Sequence, residues 1–167
     1  MRLMRNFGFQ GYDHVVSAGI NAKMAEIPAA MGLCCLERME EAADWNRRNY
    51  FLYAEHLRGL PGITLLAYDD STQGNYQYVV VEVDRDSCPR TRDELVDALH
   101  AENVIARKYF WPGCHRMEPY RSTRPEARWN LSNTEDVAER VIVLPTGAAV
   151  GDEEVARVCA ILREALL

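Results

Sequence analysis

The chain has 167 residues, enough for one domain of ordinary size that hides roughly 70% of its unfolded surface, so a real core is available. Apolar residues make up 48% and charged residues 26%, a balance that excludes a disordered tail. The net charge is −6 and the arginines are scattered among acids, so the basic face that nucleic-acid binding requires is missing.

The opening "MRLMRNFGFQGYDH" has no continuous apolar stretch of the kind a secretory signal needs, and no segment has the 18 or so apolar residues of a membrane span. From Ala22 to Leu57, apolar residues recur at threes and fours, as in Met24, Ile27, Met31 and then Leu33, Leu36, Met39. This predicts one very long helix or two in series, with Pro28 tolerated if it falls within a first turn. "RGLPG" ends the run. "ITLLAY" (63–68) and "YQYVVVEVD" (76–84) read as two antiparallel strands joined by the polar turn "DDSTQGN". "TRDELVDALHAEN" carries a capping box, Thr91 with Glu94 three residues on, ahead of a helix. "VIARKYF" reads as a short strand or extended run, and 111–129, with Pro112, Pro119 and Pro125, as a long irregular loop. "NTEDVAERVIVLP" predicts a helix capped by Asn or Thr and then a strand over 141–144. "GDEEVARVCAILREALL" predicts a closing amphipathic helix with Val155, Val158, Leu162 and Leu166 on one face.

These elements predict an α+β fold, a long N-terminal helix leading into a small, largely antiparallel sheet with helices packed on it. Two features are out of proportion: the first eighteen residues form no clean element, and a long helix usually connects to something at its far end. Both suggest the back part of a larger protein. The five cysteines, Cys34, Cys35, Cys88, Cys114 and Cys159, have neither CxxC nor zinc-site spacing, so no metal site is expected and a reducing cytoplasmic compartment is.

"GINAKMAEIPAAMGLCCLERMEEAADWNRRNY" followed by a two-strand unit resembles the DegT/StrS family of nucleotide-sugar aminotransferases, which use pyridoxal phosphate. The residues that carry the resemblance are Gly19, Asn21, Lys23, Met24, Glu26, Ala29, Ala30, Gly32, Leu33, Leu36 and Glu37. "LMRNFG" is similar to the family's Leu-Arg-x-His-Gly segment, with Phe7 where histidine is usual. "ARKYFWPGCHRMEPY" resembles its Tyr-x-x-Pro-x-x-His segment, and "VIVLPTGAAVGDEEV" its closing Leu-Pro strand and helix.

The resemblance implies the C-terminal small domain of a fold-type-I aminotransferase. Residues 1–35 would be the remnant of the large-domain edge, with the cofactor-facing turn and interface helix, and 36–167 the small domain. It implies pyridoxal 5'-phosphate as cofactor, a nucleotide-linked keto sugar as substrate, an amino-acid amine donor, a homodimer when complete, and a missing N-terminal cofactor domain as partner. The chain's lysines, Lys23 and Lys108, both lie outside the family's catalytic lysine segment. No residue is therefore assigned a catalytic role, the cofactor is not held covalently by this chain, and the chain alone is not expected to turn over. A non-catalytic binding or assembly module, or a relic domain, is the alternative. Membrane and nucleic-acid partners are not expected.

In the family the Gly-x-Asn turn reaches the active site of the neighbouring subunit, so the resemblance makes Asn21 a ligand of the cofactor phosphate. Glycine permits close backbone approach, and an amide NH2 is a neutral donor to an anion. Asn21 read from its residue type alone is a helix N-cap, and one residue can do both. Tyr109 and His115 are candidate sugar contacts; otherwise His115 is an ordinary loop histidine. Cys114 beside His115 suggests a nucleophile pair, but no third group is evident to orient it. Lys23 reads as a surface or ion-paired lysine, Glu37, Glu40 and Glu41 as a solvated helix face, and Trp45, Trp111 and Trp129 as core or interface mass.

Overall fold

The structure, a computed structural model, describes residues 1–69 and 71–167, so Asp70 of the expected turn lies outside the described residues. It divides into two compact units, Met1–Glu40 and Glu41–Leu167.

In the first unit the opening segment folds back on itself without forming a strand. Isolated bridges join Asn6 to Asn21 and Phe9 to Val15. The Ile20 and Ala22 amides donate to the Met4 and Arg5 carbonyls at 2.8 and 2.9 Å. Two glycines permit this closeness. Gly8 has φ +79°, and a β-carbon there would overlap the Ser17 carbonyl; one on Gly19 would run into the backbone of Phe7 and Gly8. Helix α1 (Glu26–Glu37) starts four residues later than the apolar spacing suggests, and none of its residues is buried. Pro28 is its third residue, where a missing N–H costs no intrahelical bond. Arg38 ends α1 and α2 (Met39–His56) follows, so the helical run is two helices in series.

The second unit holds an antiparallel sheet in the order β1 (Ile63–Leu65), β2 (Val79–Val83), β3 (Val141–Leu144). Ile63 pairs with Val83, and Val81 with Ile142. Along β2 the pleat alternates the side chains, with Val79, Val81 and Val83 buried. Against that face pack α3 (Arg92–Ala101), α7 (Asp152–Ala165) and the end of α2, which supply Leu95, Leu99, Val155, Leu162 and Tyr53 to the core. Tyr53 donates its hydroxyl to the Pro145 carbonyl at 2.9 Å; burial, with Cys159 nearby, holds the phenol above its ordinary pKa and keeps it a donor. α3 has the predicted capping box: Glu94 N donates to Thr91 Oγ1 at 3.3 Å and Thr91 N to Glu94 Oε2 at 2.8 Å.

Several expectations need correction. The strands are shorter than 63–68 and 76–84 because Tyr76 takes φ +51° and the Tyr68 hydroxyl replaces the ladder. It donates to the Tyr78 carbonyl at 2.8 Å and accepts from the Tyr78 amide at 3.3 Å. "VIARKYF" is extended and joins β3 only by the bridge Arg107 to Val143. The loop 111–129 contains a 3-10 turn (Cys114–Arg116), α4 (Tyr120–Thr123) and the first residues of α5 (Ala127–Asn130), each about one turn long. α6 (Ser132–Ala138) begins after Leu131 with no side-chain cap, so neither Asn133 nor Thr134 caps it. None of the tryptophans is buried: Trp111 lies under the Arg92 guanidinium, 4.8 Å from its ring centroid, and Trp129 is 72% exposed.

Candidate functional site

Beyond the Arg107–Val143 bridge the chain turns away from the sheet at Tyr109, and the 109–131 segment closes over α6 and the start of β3. Between them is a cavity of about 750 Å³ bounded by Tyr109, Phe110, His115, Tyr120, Leu131 and Val137. Its walls are mostly apolar and aromatic, with His115, Arg124, Asn133 and Thr134 among the polar groups, the make-up of a small-molecule site. The structure thus brings Tyr109 and His115 together, and Cys114 lines the same space.

His115 is largely buried and hydrogen-bonded. Its side chain is only 7% exposed, and Nε2 lies 2.6 Å from Glu135 Oε1 on α6. Arg116 donates through Nε to the same oxygen at 2.7 Å and pairs with Oε2 through its other nitrogen. Glu135 is a partner of His115 that the sequence does not reveal. It stands 20 residues away in "NTEDVAER", and only the packing of α6 on the loop joins them.

Below the site, α3 begins with a buried cation. Arg92 NH1 donates to the carbonyls of Ala138 at 2.9 Å and Val141 at 3.3 Å, the end of α6 and the first residue of β3. Its Nε pairs with Asp93, which also accepts from Lys108 Nζ at 2.9 Å. The Lys108 hydrogen bond, followed by that from Arg92, holds the Asp93 carboxyl below its usual pKa. Lys108 is thus an ion-paired lysine. In the first unit, Lys23 lies 5.6 Å from the Phe7 ring centroid. Glu37, Glu40 and Glu41 are exposed. Asn21 is exposed and precedes α1 by several residues; Ala25 occupies the N-cap, so Asn21 does not cap that helix. Among the described residues no helix is long and apolar enough to cross a membrane, and no group of His, Cys, Asp and Glu could hold a metal ion.

Residues 1–163 match the DegT/DnrJ/EryC1/StrS aminotransferase family. The chain belongs to that family. It is 33% identical over 159 residues to dTDP-4-amino-4,6-dideoxy-D-glucose transaminase of Escherichia coli, a match that covers 95% of this chain and 43% of the relative. Among solved structures, DesI in the presence of its TDP-sugar product superposes with a TM-score of 0.83 at 45% identity, covering 98% of this chain and 41% of that one. S. venezuelae DesV in complex with a ketimine intermediate superposes with the same TM-score at 26% identity, covering 98% and 42%. The chain spans under half the length of these relatives and corresponds to their C-terminal portion.

Pyridoxal phosphate is the cofactor the family implies. Of the residues singled out for it, Asn21 is exposed two residues after Gly19, and its side-chain amide carries N–H donors of the kind an anion accepts. For the aldehyde end the chain offers Lys23, beside the Phe7 ring, and Lys108, which is tied to Asp93.

Proposed function

We propose that this chain is the C-terminal part of a pyridoxal-phosphate-dependent aminotransferase that moves an amino group from an amino acid to a keto sugar carried on a nucleotide. We assign residues 1–35 to the cofactor-facing edge and 36–167 to the small domain. Asn21 donates to the cofactor phosphate, and Tyr109 and His115 line the space for the sugar. The observation that carries the reading is the aromatic cavity with a buried, hydrogen-bonded His115, in a chain whose relatives act on dTDP-linked amino sugars. When bound, the cofactor supplies the electron sink, and the protein positions and orients it.

Turnover requires the lysine-bearing cofactor portion as partner, because Lys23 and Lys108 both lie outside the family's catalytic lysine segment. The exposed apolar residues Met24, Ile27, Met31, Leu33 and Leu36 support such a partner or a second subunit. The cysteines, all free, fit the cytoplasm.

The test is to assay the 167-residue chain alone and together with a lysine-bearing N-terminal portion. Alone it should give no borohydride-reducible adduct with pyridoxal phosphate and no amino transfer. Assembled, Tyr109→Ala and His115→Ala should each raise the KM for the nucleotide sugar about tenfold, the loss of one good polar contact. A specific adduct with turnover by the chain alone, or an unchanged KM in both variants, overturns the reading.

A further inference from the structure

We propose that Glu135 is a positioning residue that keeps a proton on Nε2 of His115 and leaves Nδ1 as the nitrogen that meets the ligand in the cavity. The inference rests on the reading of that cavity as the sugar site, and its own basis is three separate observations.

The first is the 2.6 Å contact between Nε2 and Glu135 Oε1, where neither side chain is open to solvent, at 7% and 18% exposure. The second is that Arg116 engages both oxygens of the same carboxylate. A carboxylate held by a guanidinium fork can only accept, so the imidazole nitrogen facing it must carry hydrogen whether the ring is neutral or charged. Nε2 is then committed to donating. The third is Gly113. With φ +99° it takes a conformation that side chains rarely adopt, and a β-carbon there would stand 2.6 Å from Cε1 and 3.0 Å from Nδ1 of His115. The glycine thus keeps a side chain off the Cε1–Nδ1 part of the ring, and it borders the same cavity. Nε2 is bound to the carboxylate, and no side chain at 113 covers Nδ1.

In the neutral ring, Nδ1 accepts from a hydroxyl, which a sugar supplies in number. A ring free to flip would offer either nitrogen and lose orientation on each flip. Glu135 acts through His115 and does not touch the ligand.

The test uses the 167-residue chain labelled with 15N in its histidines, His14, His56, His100 and His115. His115→Gln identifies the His115 signals. The wild type should show an imidazole N–H proton protected from solvent exchange and correlated to Nε2 of His115. Glu135→Gln should keep that resonance, since its amide oxygen still accepts, and Glu135→Leu should lose it, with the backbone amide spectrum of the core unchanged. A protected proton on Nδ1, or an Nε2 proton that survives in Glu135→Leu, overturns the proposal. In the enzyme assembled with its lysine-bearing portion, Glu135→Leu should raise the KM for the nucleotide sugar about tenfold, and Glu135→Gln should stay within about threefold of wild type. Loss of the resonance in Glu135→Leu with an unchanged KM in His115→Ala would sink the sugar reading and leave Glu135 as the group that orients the ring.

Discussion

Replacing Arg92 by methionine keeps the aliphatic stem and removes the guanidinium, which isolates the contribution of the buried cation. The side chain is 3% exposed, donates to the Ala138 carbonyl at 2.9 Å and to the Val141 carbonyl at 3.3 Å, and stacks on Trp111. The shorter bond, from a charged donor to a buried carbonyl, contributes ~1.5–3 kcal/mol, and the longer one adds little. The ring contact contributes ~0.5–2 kcal/mol. The pair with Asp93, which is 56% exposed, contributes ~0–1 kcal/mol. Against these stands the relief of desolvating a charge, which for well-packed replacements is worth ~1–4 kcal/mol. The carbonyls decide the sign, because methionine leaves Ala138 and Val141 without their donor. The net expectation is a loss of ~2–3 kcal/mol, or a melting temperature lower by ~5–12 °C. Urea denaturation followed by tyrosine and tryptophan fluorescence measures it. Because Ala138 ends the helix that carries Glu135, the protected Nε2 proton of His115 should weaken in parallel. A variant within ~0.5 kcal/mol of wild type would show that relief of desolvation wins and refute the reasoning.

Asp93→Asn should make stability less sensitive to acid. The folded carboxyl titrates below its ordinary value, so its contribution is present above the unfolded value of 3.8 and is lost as pH falls through the folded value; urea midpoints between pH 5 and 2.5 should diverge less in the variant. Thiol reagents at pH 8 should modify Cys34, Cys35 and Cys114 rapidly. Cys159, buried and with its thiol pushed up to about 12, should react only on unfolding, and labelling of the native chain at Cys159 would contradict the packing of α7. In the assembled enzyme, Asn21→Ala should weaken cofactor retention, measured in the amine form, by roughly 10- to 150-fold. The melting temperature should stay unchanged, because Asn21 does not cap α1; lowered stability with unchanged retention would refute the phosphate role.

The sequence by itself determined the features whose physics is local. The Thr91–Glu94 capping box spans three residues, the β-branched run of β2 favours an extended backbone by residue type, and the apolar face of α7 needs only the helical period. The family was also legible, since its motif lies in one run from Gly19 to Glu37. Tyr109 and His115 were marked as candidates by that resemblance, not by any property of their neighbours. Tertiary structure decided where β1 and β2 stop, because the Tyr68 hydroxyl takes over the Tyr78 backbone groups. It also decided that Arg92 is buried, since its carbonyl partners lie 46 and 49 residues away. And it joined Glu135 to His115 across 20 residues of turns and single-turn helices. An arginine in a first helical turn and a glutamate in "NTED" look like solvated charges until the chain closes. Their partners are two carbonyls and an imidazole that only the packing of α6 on β3 and the 109–131 segment brings within hydrogen-bond reach.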